Sequence, residues 1–111
     1  RLLSMNMSMD ELMQEGERVY NATCAACHMP NGEGLPGVFP ALKGSKMVKE
    51  DQQGHIDIVL HGKSGTAMQA FGKMLSLKEI AAVVTYERNA WGNNTGDMVQ
   101  AKDVNAVANG N

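Results

Sequence analysis

The densest chemistry in the chain lies in five consecutive residues, Cys24-Ala25-Ala26-Cys27-His28. Two thiols one helical turn apart can add, from one side, to the two vinyl groups of a single haem, and the adjacent imidazole then sits under the iron. Two other chemistries use the same residue types. A zinc knuckle needs four ligands, and Cys24, Cys27 and His28 would have to recruit His55 or His61 without the usual paired spacing. A redox dithiol of the Cys-x-x-Cys kind needs a βαβ setting, and no segment carries a strand signal. With only two cysteines in the chain, a disulfide framework is not indicated either.

The elements that must position this motif can be read from caps and periodicity. Ser8-Met9-Asp10-Glu11 is a capping box, and the pattern behind it predicts a helix over about Met9 to Thr23. Leu12, Gly16, Val19 and Tyr20 share one face of that helix. Gly16 in mid-helix costs about 1 kcal/mol relative to Ala, which points to a close approach of another element. The motif therefore falls at the end of an amphipathic helix. It is followed from Met29 to Ser45 by a loop punctuated by Pro30, Asn31-Gly32, Gly34, Pro36-Gly37, Pro40 and Gly44. That position favours haem attachment over the two alternatives.

A second helix is expected over about Gln52 to His61, with Ile56, Val59 and Leu60 inward and Gly62 ending it. Lys63 to Lys73 reads as irregular. Ser76-Leu77-Lys78-Glu79 is a second capping box, with Leu75 and Ile80 placed as a hydrophobic staple. The helix it starts should run to about Ala90, with Leu77, Ile80, Ala81 and Val84 on one face and Gly92 closing it. Beyond Gly92 the chain turns polar; a short helical turn near Ala101 to Ala108 is compatible with the pattern, and the tail reads as peripheral. The segment Arg1 to Met7 reads as a frayed lead-in. The fold class is all-α.

Composition agrees with a small, loop-rich protein that needs a large apolar body at its centre. The chain has 111 residues, twelve of them glycine, and its aromatics are only Phe39, Phe71, Tyr20, Tyr86 and Trp91. Cores of this size are marginal without a staple or cofactor. The net charge of -2 argues against a nucleic-acid partner, which would want a basic face. No apolar run approaches the roughly 20 residues that span a bilayer. The chain starts at Arg1, which suggests a processed or excised piece, so membrane attachment would come only from segments upstream.

The sequence resembles class I cytochrome c from about Leu12 to Trp91. The resemblance rests on the helix ending in Cys24-Ala25-Ala26-Cys27-His28. It rests also on the Pro-x-Leu-x-Gly segment within Phe39-Pro40-Ala41-Leu42-Lys43-Gly44, on a Met-bearing loop, and on a last helix crossing the first. It implies one covalent haem c held through Cys24 and Cys27, with His28 on the iron. It also implies that the Pro40 carbonyl accepts a hydrogen bond from the free ring N–H of His28, which orients the ligand. The sixth ligand implied is Met68, in Gly65-Thr66-Ala67-Met68-Gln69-Ala70-Phe71-Gly72, where an aromatic follows the Met by three positions. Met74 is the rival, though a packing role suits it better; His55 or His61 would give bis-histidine ligation but read as surface or helix-end residues. Met5, Met7, Met9, Met13, Met29, Met47 and Met98 read as core fillers or exposed side chains.

Met/His ligation raises the potential and fills the iron's coordination, which implies outer-sphere electron transfer and no catalysis. Gly16, Tyr20 and Tyr86 fit the crossing of first and last helices. Lys43, Lys46 and Lys63 could neutralise propionates but read mainly as solvated surface. The implied division is a lead-in over 1–8, a cytochrome c domain over 9–92 and a C-terminal extension over 93–111.

Within that family, Val84-Thr85-Tyr86-Glu87-Arg88-Asn89-Ala90-Trp91-Gly92-Asn93 and Gly65 to Lys73 are similar to the cytochrome c domain at the C-terminus of subunit II of bacterial haem–copper cytochrome c oxidases. This implies a domain on the periplasmic side of the bacterial inner membrane, within a membrane-anchored subunit. Electrons would come from a respiratory donor and pass to the dinuclear copper centre of the same subunit. A free periplasmic shuttle of the same fold is the alternative, and a haem-based gas sensor or peroxidase-like enzyme would require an open sixth position.

Overall fold

The computed structural model describes residues 6–110. The lead-in expected over Arg1 to Met7 therefore lies outside the described residues for its first five positions. Among the described residues there are six α-helices, one 3₁₀ turn and no strand beyond a single antiparallel bridge between Leu35 and Phe39. This is the all-α architecture expected from the sequence.

Helix α1 spans Met9–Thr23, and α2 spans Ala25–His28. Both halves of the Ser8/Glu11 capping box are made, so two orphan donors at the start of α1 are satisfied. Leu12, Gly16, Val19 and Tyr20 form its buried face. Helix α5, Leu77–Asn89, starts in the same way from Ser76 and Glu79. The two helices cross at Gly16: a Cβ there would overlap the Ala82 carbonyl oxygen and the Tyr86 Cβ. The glycine that weakens α1 locally is what lets α5 come close enough to bury its own length.

Helix α3, Lys46–Glu50, was not expected from the sequence. It is a single short turn capped by the Ser45 hydroxyl on the Val48 N–H, too short to show an amphipathic period. Helix α4, Gln52–His61, buries Ile56, Val59 and Leu60. It also buries His55, which corrects the surface reading of that residue. Helix α6, Ala101–Ala108, corrects the peripheral reading of the tail: it packs on α5 and α4, and Val99 and Val104 are fully buried.

That second layer explains why α5 is buried nearly all round. Ala82, Val83, Thr85, Glu87 and Arg88 are buried as well as Ile80, Ala81 and Val84 of the expected stripe, while Leu77 is half-buried. The Thr85 hydroxyl brackets the backbone of Val99, accepting from its N–H at 2.9 Å and donating to its carbonyl at 3.2 Å. The Gln100 side-chain amide does the same for Met7, accepting from its N–H and donating to its carbonyl, each at 2.9 Å. One core therefore runs from α1 through α5 to α4 and α6. Val19, Tyr20, Ile56, Phe71, Ile80 and Val84 are among its members.

Candidate functional site

Cys24 caps the end of α1, and the backbone rewinds at once into α2. The N–H groups of Cys27 and His28 both donate to the Cys24 carbonyl, at 3.2 and 3.0 Å. This sets the two thiols one turn apart, half-buried and unbridged. Burial, and after it the negative charge of Glu87, pushes the Cys24 thiol up to about 12, against the lowering effect of the Thr23 hydroxyl. Redox-active dithiols depend on a lowered thiol pKa, so Cys24 has the opposite electrostatics. The zinc alternative is no better placed. His55 is buried against Glu87, His61 pairs with Asp57 at 2.9 Å on the exposed face of α4, and neither joins the cysteines. Among the described residues no cluster of three His, Cys, Asp or Glu side chains could hold a metal ion.

The His28 ring has its Nδ1 2.9 Å from the Pro40 carbonyl oxygen. A carbonyl can only accept, so Nδ1 carries the proton and donates. That leaves the Nε2 lone pair, for which the described residues offer no hydrogen-bond donor. Pro40 reaches this position because the loop after the motif is pinned along its length. The Gly34 N–H donates to the His28 carbonyl at 2.9 Å, and the N–H groups of Leu42 and Lys43 converge on the Gly32 carbonyl.

Met68 comes from the second loop, between α4 and α5. Its side chain is half-buried against the core that also receives Cys24. The loop is fixed at both ends. Gly62, at φ +73°, turns the chain back so tightly that a Cβ there would meet the Met68 carbonyl oxygen at 2.8 Å. Downstream, Phe71 and Gly72 donate to the Val59 and Leu60 carbonyls at the end of α4. Met74 does not pack, which corrects the sequence reading. It is 61% exposed, because its turn, tied back to the Phe71 carbonyl, leaves its side chain outside the core. None of the described methionines is fully buried.

These residues fit a haem. The thiols are free, the imidazole keeps an unused nitrogen, and a thioether waits in a pinned loop. Leu35, Val38 and Met74, large apolar side chains left exposed, all lie in the two loops that follow the motif and precede α5. The structure joins His28 to Pro40 directly. Met68 it brings to the same core by a separate route, with no hydrogen bond to either.

Three supporting groups escaped the sequence reading. His55 Nε2 and Glu87 Oε1 lie 2.6 Å apart, both 3% exposed, joining α4 to α5. Asn93 donates to the Glu87 and Leu42 carbonyls and accepts from the Gly44 N–H, tying the Pro40 segment to the end of α5. The buried Arg88 donates to the Val48 and Lys49 carbonyls of α3 and pairs with Asp97. Each has at least one partner more than 30 positions away, so no local spacing announces them. Lys43, considered for a propionate, is paired with Glu33 at 3.6 Å.

The family model described as cytochrome C oxidase, cbb3-type, subunit III matches residues 11–86. The chain is 36% identical over 99 residues to the cytochrome c subunit of the quinone alcohol dehydrogenase of Gluconobacter oxydans, a match over 80% of this chain and 21% of that subunit. It is 37% identical over 91 residues to cytochrome c-552 of Thermus thermophilus, covering 70% of this chain and 69% of the relative. With cytochrome c6 of Microcystis aeruginosa it shares 36% identity over 73 residues, 65% of this chain and 89% of the relative. The chain thus spans about a fifth of the length of the alcohol dehydrogenase subunit.

Proposed function

Since the chain belongs to the class I cytochrome c family, a family that binds haem c covalently, we propose that it relays single electrons through one haem held by Cys24, Cys27, His28 and Met68. When bound, that group supplies a one-electron couple. The chain's own residues do the rest. The Cys24 and Cys27 thiols would each add across one vinyl group, sulfur to one carbon and the thiol hydrogen to the other, leaving two thioether bonds. His28 offers Nε2, and Pro40 holds the Nδ1 proton, fixing tautomer and ring plane and raising the ligand's basicity. Met68 offers its sulfur from the pinned loop between Gly62 and Phe71. With His28 and Met68 both given to the iron, substrate would have no place on the metal, and the site would serve transfer alone. The observation that carries this reading is the singly engaged His28 imidazole at the end of the Cys24–Cys27 turn.

The test is optical, on the haem-loaded chain. Met68→Ala should lose the low-spin spectrum and the methionine-to-iron charge-transfer band, and Met74→Ala should keep both. Retention of that band in Met68→Ala would overturn the assignment.

For the partner, the likeness of Val84 to Asn93 to oxidase subunit II supports a domain that takes electrons from a respiratory donor and hands them to a dinuclear copper centre. The site would be the periplasmic face of a bacterial inner membrane, within a membrane-anchored subunit. Among the described residues no helix is long and apolar enough to cross a membrane, so any anchor belongs to other segments. A net charge of -2 suits transfer inside a tethered pair, where effective concentration replaces long-range steering. The similarity to dehydrogenase cytochrome subunits favours a second reading, in which electrons come directly from a dehydrogenase. A free shuttle, as with cytochrome c-552, is the third. Stopped-flow transfer decides: fast delivery from the reduced chain to an oxidised dinuclear copper domain supports the first, and fast reduction by a quinone-linked dehydrogenase with slow delivery to copper supports the second.

A further inference from the structure

We propose that Tyr20 and Trp91 are positioning residues for His28: their ring donors hold the two carbonyls that follow the histidine, and so fix the plane of its imidazole. The proposal rests on the reading of His28 as the haem ligand.

The geometry is specific. The Tyr20 hydroxyl donates to the Met29 carbonyl at 2.6 Å, and the Trp91 indole N–H donates to the Pro30 carbonyl at 3.1 Å. These are the first two carbonyls after His28, and the donors come from opposite ends of the chain: Tyr20 from α1, Trp91 from the turn that closes α5. Both ends of this clamp are strained. Met29 has φ 69° and ψ 154°, a combination that residues with a Cβ rarely adopt. Trp91 sits in the left-handed region at φ 57° and ψ 25°. Such conformations are costly and persist only where the surroundings over-determine them. Here the surroundings are visible. The Trp91 ring lies against the backbone of Gly32, where a Cβ would come within 2.5 Å of its Cε3. The Tyr20 and Trp91 rings pack with centroids 5.0 Å apart, and Tyr86 stands 5.6 and 5.5 Å from them.

Core packing alone would account for three touching rings. It would not account for two ring donors converging on consecutive carbonyls beside the ligand. With the Gly34 N–H on the His28 carbonyl and Pro40 on its ring, every backbone acceptor from His28 to Pro30 is held. A rigid ligand turn keeps the imidazole from reorienting when the iron changes charge, which is what an outer-sphere carrier requires.

The experiment uses the haem-loaded chain and the variants Trp91→Phe and Tyr20→Phe, which keep a ring and delete a donor. Ser76→Ala, which opens the cap of α5 and touches neither ring nor carbonyl, is the comparison. Three readouts report the imidazole and not merely stability: the anisotropy of the ferric electron-paramagnetic spectrum, the proton chemical shift of His28 Nδ1–H, and the oxidised-to-reduced ratio at a fixed applied potential. Both donor variants should shift the first two and change the ratio about threefold or more, while Ser76→Ala leaves all three as in the parent. The two variants act on separate bonds, so one that incorporates haem poorly leaves the other to decide. Unchanged readouts in Trp91→Phe and Tyr20→Phe, alongside a stability loss like that of Ser76→Ala, would overturn the clamp. A His28→Ala chain that kept the native low-spin spectrum would overturn the ligand assignment itself, and the clamp with it.

Discussion

His55 and Glu87 offer the sharpest test of how the core is held, because removing one partner should hurt more than removing both. The pair is 2.6 Å apart and nearly excluded from solvent. Glu87 has no second side-chain partner among the described residues: the neighbouring Arg88 guanidinium is directed to Val48, Lys49 and Asp97. His55→Leu therefore strands a buried carboxyl, a loss of about 3–5 kcal/mol. Glu87→Leu strands an imidazole whose Nδ1 already lacks a partner, a loss of about 1–3 kcal/mol. The double variant replaces both with apolar side chains, a change that is often neutral or stabilising. Urea titration of the haem-loaded chain by far-UV circular dichroism reads the order directly. With a slope of about 2 kcal/mol/M, His55→Leu should lower the midpoint by roughly 1.5–2.5 M, and the double variant should recover most of it. A double variant whose loss equals the sum of the two single losses would refute the reasoning, since it would mean that the two groups act independently.

Three further outcomes follow from the same geometry. Gly16→Ala should cost about 1–3 kcal/mol in the same titration, because the added methyl meets the Ala82 carbonyl at the helix crossing; a neutral result would show that α1 can withdraw from α5 freely. Burial raises the phenol of Tyr20, with the charge of Glu87 adding to it, and burial raises Tyr86 as well, both from 10.0. A raised folded-state value means that the stabilisation is complete below pH 10 and drains away as pH climbs towards the folded value. Phenolate absorbance should stay absent until well past pH 10, and Tyr20→Phe should flatten the alkaline fall in stability. Ser76→Ala should cost about 1 kcal/mol by opening the cap of α5, measurable as a lower thermal midpoint.

What the sequence carried legibly was whatever is local. The two capping boxes, Ser8/Glu11 and Ser76/Glu79, placed the starts of the crossing helices because cap and target lie three residues apart. Gly16 announced a close contact because nothing else explains a glycine there. The motif was readable for the same reason: Cys24, Cys27 and His28 occupy one turn. Pro40 and Met68 came only by resemblance, since a loop ligand leaves no periodic trace. The failures are tertiary. His55 looked like a surface residue because its partner is on α5; the tail looked peripheral because the second buried face of α5 shows up only once Val99 and Val104 are seen against it. Short α3 had no period to detect, and Arg88, which binds its end, lies on another helix.

The crossing of α1 and α5 leaves the stretch from Cys24 to Ser76 as one long closure, pegged at Gly32, Asn93, Val59 and Leu60. The entropy of closing such a loop grows only with the logarithm of its length, about 0.6 kcal/mol for each doubling. Between the pegs, the segment around Leu35 to Val38 can thus lengthen or change residue type at little cost to the fold. That segment stands out from the core. A carrier built this way can be refitted to a new redox neighbour by rewriting its outer loop, while the turn that holds the ligand stays as it is.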